Sequence, residues 1–187
     1  MATGDPKFAS EHSGEWRAHD YGKVFARQNT STTSRLCIGA SIDGSVLLKA
    51  LSQFLSEPLL LLYVLVVPRG SVPGRYQSAD LTRDQLDTLF QRFAHFWDCD
   101  GRQSIWLHSR SDSSTLVYDR HNLIHAYGPL SRIESLLVSL GYSETPTISV
   151  SFVHQHAYHA EFDHLERELV AEFADGRSKL HIGDENP

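Results

Sequence analysis

The chain has 187 residues, 41% of them hydrophobic and 21% charged, with a formal net charge of -6. That length supports one domain with a real core and falls short of two typical domains. The longest apolar run, residues 59–67, is far shorter than the roughly 20 residues that cross a bilayer, and no basic block or stripe stands ready to neutralise phosphates, so neither a membrane nor nucleic acid is an expected partner.

The first eight residues, Met-Ala-Thr-Gly-Asp-Pro-Lys-Phe, lack a basic region followed by an apolar one, so no secretory leader is expected. Residues 1–34 are polar and rich in Ser, Thr and Gly, and read as a partly mobile start with at most one short docked helix. Residues 36–42 form an apolar run closed by Asp43-Gly44, a strand signal. Val46, Leu47, Ala50, Leu51, Phe54 and Leu55 then follow at helical spacing up to Glu57-Pro58. The run 59–67 is apolar at every position, as a strand covered on both faces would be. Together these segments predict a βαβ entry, with a right-handed crossover if its strands are parallel.

Residues 68–80, with Gly70, Pro73 and Gly74, read as an exposed loop, and Thr82-Arg83-Asp84-Gln85 as a capping box opening a helix striped by Leu86, Leu89, Phe90, Phe93 and Trp97. Segments 104–108, 115–118 and 123–127 predict an antiparallel meander. A helix on Leu130, Ile133, Leu136, Leu137 and Leu140 follows, with Ser131 and Glu134 at capping spacing. A strand over 147–156 and a last helix on Phe162, Leu165, Leu169 and Phe173, ending near Gly176, complete the pattern. The expected architecture is a single α/β or α+β domain over residues 35–175, with a mixed sheet of about six strands, a βαβ entry, a central antiparallel meander and covering helices. Residues 176–187 form a polar tail.

Chemistry concentrates in two histidine groups. Four of the eleven histidines fall between residues 152 and 164. On a strand, Ile148, Val150, Phe152, His154 and His156 share one face, and His-x-His presents two nitrogens to one metal. His159 and Asp163, four residues apart on the next helix, are candidates for further ligands, or Asp163 or Glu161 for a base, of zinc or another first-row metal. The second group, His108, His121 and His125 with Asp119 and Tyr127, lies on the meander. There His125 joins His154 or His156 in one cleft if the two sheet regions meet. Cys37 and Cys99 share no metal or disulfide spacing and fit a reducing compartment, and the carboxylates flanking Cys99 should raise its pKa and blunt its reactivity. Gly39-Ala40-Ser41-Ile42-Asp43 lacks the closing glycine of a nucleophile elbow.

Ile42-Asp43-Gly44-Ser45, at a strand end entering a helix, resembles the opening of the universal stress protein family over residues 36–67 and would imply a nucleotide pocket. That family's later glycine-rich phosphate loop has no counterpart here, and Asp43 reads equally as a helix N-cap.

Charge is lopsided: residues 155–187 hold eight acids against Arg167, Arg177 and Lys179. With no complete catalytic motif, the first expectation is a cytoplasmic, bacterial-type protein-binding module that needs no cofactor, an immunity-type neutraliser of a basic partner such as a toxin domain. Glu161, Glu168 and Glu172 would steer that partner, and the loop residues Arg69, Arg75 and Tyr76 would help grip it. The alternative is a metal-dependent, zinc-type hydrolase built on His154, His156 and His159. A third is an interaction module switched by pH through its histidines.

Overall fold

The computed structural model describes residues 6–29, 33–41 and 43–184. Over that range the chain is mixed α/β, with four α-helices, one sheet of nine strands and a second of three. No described helix is long and apolar enough to cross a membrane.

The N-terminal segment departs from expectation. It carries β1 (Phe8–His12), β2 (Glu15–Ala18) and β3 (Val24–Asn29), and no helix among its described residues. Ser13 and Gly14 both adopt positive φ, 54° and 87°. This is the two-residue turn whose twist suits a hairpin, and it sets His12 opposite Glu15. Phe8 and Ala9 are fully buried, which anchors the hairpin to the domain.

β4 (Ser34–Gly39), α1 (Gly44–Ser52) and β5 (Leu59–Leu65) form the expected strand, helix and strand. The meander of β7 (Gln103–Ser109), β8 (Thr115–Tyr118) and β9 (Leu123–Tyr127) lies between the two strands. Four antiparallel steps separate β4 from β5, so the two run parallel without touching. The sheet outgrows the expected six strands through short edge pieces. β6 (Gly74–Gln77) lies in the presumed loop. β10 (Ser143–Glu144) pairs parallel to β3, and β12 (Arg177–Ser178), in the presumed tail, pairs with β6. The order is β10-β3-β4-β9-β8-β7-β5-β6-β12.

Asp43 makes no capping bond at α1. The backbone N–H of Ser45 donates instead to Asp98 Oδ1 at 2.8 Å, and its hydroxyl donates to Oδ2. Ile42 lies outside the described residues. α2 (Arg83–Cys99) starts on the expected capping box of Thr82 and Gln85. α3 (Leu130–Ser139) begins at Pro129, so Ser131 sits inside the helix rather than capping it. α4 (Asp163–Glu172) follows a single 3₁₀ turn.

Alternation divides the large sheet. Leu36, Ile38, Leu61, Tyr63, Ile105, Leu107, Leu116, Tyr118, Ile124 and Ala126 turn toward the helices and join one core with Leu48, Leu51, Phe93, Trp97 and Ile133. In register on the opposite face stand Cys37, His125, Val117, Trp106 and Leu62. No α-helix residue lines the cavities on that side. The strand expected over 147–156 shrinks to β11 (His154–His156), which pairs with β1 in the small sheet, in the order β11-β1-β2.

Candidate metal centre

The turn between β8 and β9 sets the first side chain. Asp119 Oδ1 accepts the backbone N–H groups of His121 and Leu123, both at 2.9 Å. Asn122 supplies the positive φ of 58° that asparagine tolerates. The Asn122 side-chain oxygen accepts from the Tyr118 hydroxyl at 3.0 Å, its carbonyl from the Ala40 N–H at 2.9 Å, and the His121 carbonyl from the Tyr21 hydroxyl at 2.9 Å. His121 therefore projects from a pinned turn.

β11 supplies the other two. Its pairing with β1 puts His156 opposite Phe8 and His154 opposite Ser10. The two imidazoles lie on one side, their ring centroids 5.5 Å apart. His121 meets both, at 5.4 Å from His154 and 5.0 Å from His156. Phe8 lies 5.4–5.5 Å from all three rings. Among the described residues, His121, His154 and His156 are the one set of three possible metal ligands whose donor atoms all lie within 4.8 Å of each other. A tetrahedral ion with nitrogens at about 2.0–2.1 Å holds its ligand atoms about 3.3 Å apart, a separation that lies within this limit.

Each imidazole is prepared differently. His121 Nδ1 faces Asp119 Oδ2 at 3.5 Å, and His154 Nδ1 lies 3.0 Å from the Phe152 carbonyl. These are the two partners that commonly fix the far nitrogen of a metal-bound histidine. His156 Nδ1 is buried and has no hydrogen-bond partner, and a buried polar atom in that state calls for an explanation such as an ion. Burial, reinforced by Arg120, His121 and His154, lowers the His156 pKa to about 3, so this ring is neutral, the form that binds metal. Asp119, beside His121 and His125, is held below the usual carboxylate range despite its burial and stays charged.

A cavity of about 310 Å³ opens beside these rings, lined by His121, His154, His125, Asp119, Arg35 and Ile148 among others. His125, expected to share a cleft with His154, does so. Its Nε2 stands 3.4 Å from Asp119 Oδ2, so one carboxylate faces two imidazoles. Cys37 also lines the cavity, but burial pushes its thiol up to about 12, leaving a protonated group rather than a ligand or nucleophile. The Cys99 thiol is raised too, by burial first and by Asp98 second.

His159 and Asp163, the other expected ligands, lie instead in a buried ionic clamp. Arg102, with a fully buried side chain, donates from Nε and Nη2 to the two oxygens of Asp100, both at 2.8 Å. It also donates to Glu166 Oε2 at 2.7 Å, Asp163 Oδ1 at 3.0 Å and the His159 carbonyl at 2.8 Å. The His159 N–H donates to Asp100 Oδ2 at 2.7 Å. Asp163 is thus committed to a guanidinium, and the third imidazole comes from a turn some 30 residues upstream.

The residues expected to grip a partner are largely engaged within the chain. Glu168 and Glu172 both pair with Arg92, at 2.5 and 2.9 Å. Arg69 Nε pairs with Asp163 at 3.0 Å while its N–H donates to Glu166. Arg75 pairs with the buried Asp184 at 2.9 Å. Tyr76 is 1% exposed, a core residue whose hydroxyl donates to the Val72 carbonyl, because β12 covers its strand. Glu161 is exposed at the 3₁₀ turn.

A pH effect follows from the buried imidazoles. His156 and His19 both titrate lower in the folded chain than their ordinary 6.5, mainly through burial. As pH falls below 6.5 the unfolded chain takes up protons that these rings refuse, so stability should fall with pH from 6.5 downward, to about 3 for His156. The slope of unfolding free energy between pH 7 and 5, measured in urea without metal, is expected to flatten in His19→Gln/His156→Gln. An unchanged slope would contradict this assignment.

In comparisons with known proteins, no family model, no curated protein and no solved structure matches this chain.

Proposed function

We propose that this protein binds one divalent first-row metal ion, zinc by donor type, on His121, His154 and His156, and uses it for hydrolysis. One observation carries the reading: three imidazoles from two distant segments converge within 4.8 Å beside a cavity. Three imidazole ligands would leave a fourth position open, the pattern of catalytic rather than structural zinc. Such an ion supplies a Lewis acid and an activated water at neutral pH. The chain's own groups would divide the remaining work. Asp119 orients His121, His125 stands within reach of the same carboxylate to move a proton, and Ile148, Val150 and Leu123 give the cavity an apolar wall that limits water.

The rival reading, an acidic module for a basic protein partner, draws less support, since Arg92 already pairs with Glu168 and Glu172, two of the three acids it would use. To test the hydrolytic reading, protein loaded with zinc and carrying no histidine tag is assayed against p-nitrophenyl esters and phosphate esters. Turnover should disappear on chelation and in His154→Ala. Rates equal to those of that variant on every substrate would remove the hydrolytic reading.

A further inference from the structure

Arg35 lies on β4, two residues from Cys37 on the same side of the sheet, and lines the cavity that His121 and His154 also line. It borders a second cavity of about 290 Å³ as well, with Trp106, Thr115, Val117, His125 and Tyr127. Its guanidinium is held from both neighbouring strands. Nε donates to Gln28 Oε1 at 2.9 Å, and Nη1 donates to the Tyr127 hydroxyl at 2.8 Å.

Both partners are neutral. Among the described residues Arg35, like Arg83, Arg120, Arg132, Arg167 and Arg177, has no carboxylate within ion-pair distance, whereas Arg27, Arg69, Arg75, Arg92, Arg102 and Arg110 each have one. Of the unpaired ones Arg35 alone lines the cavity beside His121 and His154. A guanidinium has five N–H donors in a planar fork, and two bonds to neutral groups fix that fork while leaving donors unused and the charge uncompensated. The carboxylate that shares the cavity, Asp119, accepts two backbone N–H groups on Oδ1 and turns Oδ2 toward the imidazoles of His121 and His125, at 3.5 and 3.4 Å, rather than toward Arg35. The cavity thus has a preformed cation on its wall, an apolar stretch from Leu123, Ile148 and Val150, and two of the three imidazoles, His121 and His154, in its lining.

We propose that the ligand of this cavity is a small oxyanion, a carboxylate or a phosphate ester, docked on Arg35 with its reacting bond toward His121 and His154. As a statement of substrate class this rests on the hydrolytic metal site; the anion site itself does not. A planar fork suits bidentate binding of either oxyanion, and a cavity near 300 Å³ is at the small end of ligand sites. Gln28 and Tyr127 act as positioning residues for the guanidinium.

The test is calorimetric titration with succinate and with methyl phosphate, on metal-free and on zinc-loaded protein. Both forms should bind at least one anion, and the preferred one identifies carboxylate or phosphate. Arg35→Gln should weaken that binding at least tenfold in both forms, while its zinc affinity and melting temperature stay near those of the parent. Arg35→Lys, keeping charge without the fork, should recover part of the loss. Absence of binding to the parent, or equal binding by a folded Arg35→Gln, would overturn the inference even if zinc binds. Arg35-dependent anion binding in a protein that takes up no zinc would leave the anion site standing and remove the metal reading.

Discussion

His121→Ala is expected to weaken zinc binding on the order of a thousandfold, well beyond the roughly 10–100-fold that losing an outer partner of a ligand costs. Competition with a coloured chelator measures it. The comparison that gives the number meaning is His159→Ala, which should bind zinc within about threefold of the parent because the His159 backbone, through its N–H and carbonyl, belongs to the Arg102 clamp and not to the trio. Asp119→Asn should fall between, since the amide keeps one oxygen for the turn but no longer holds His121 as a charged acceptor. A loss of that size in His159→Ala, with zinc binding kept in His121→Ala, would return the ligand set to His154, His156 and His159, the one read from spacing alone.

The largest expected loss of stability is at Arg102. Its side chain is completely buried and is the shared counter-ion of Asp100 and Glu166, whose carboxylates are also fully buried. Removing one partner of such a group leaves charge in the interior without compensation, a cost of about 3–5 kcal/mol. Arg102→Met should show that loss in urea unfolding at pH 7. Adding Glu166→Gln should recover part of it, because one stranded charge disappears. Glu166 also accepts the backbone N–H groups of Arg69 and Ser71 at 2.9 and 3.0 Å, so the clamp ties α4 to the loop after β5. A loss under 1 kcal/mol would show that the network is replaceable.

These side chains explain why the fold was more legible than the site. Local patterns were sufficient for α1, the capped start of α2 and the three strands of the meander, whose signals lie within the elements themselves. The β1-β2 hairpin was missed although Ser13-Gly14 is a recognisable turn pair, because polar residues around it hid the short strands. β6, β10 and β12 were missed for another reason: two to four residues at a sheet edge are defined by the neighbour they pair with. The metal site depended on such pairing throughout. His154 and His156 announced themselves by alternation, whereas His121 reads as an ordinary turn residue until β1 is known to carry Phe8 and β11 across that turn. The same holds for the C-terminal acids, whose arginine partners stand far upstream, Arg92 some 80 residues before Glu172.

The most direct measurement is the metal content of the full chain, purified without a histidine tag, equilibrated with micromolar zinc and dialysed. One zinc retained per chain, dropping to background in His121→Ala/His154→Ala while the fold by circular dichroism is kept, is the result required if the three rings form a metal centre. Retention well below one per chain in the parent protein, or equal retention in the double variant, would contradict it.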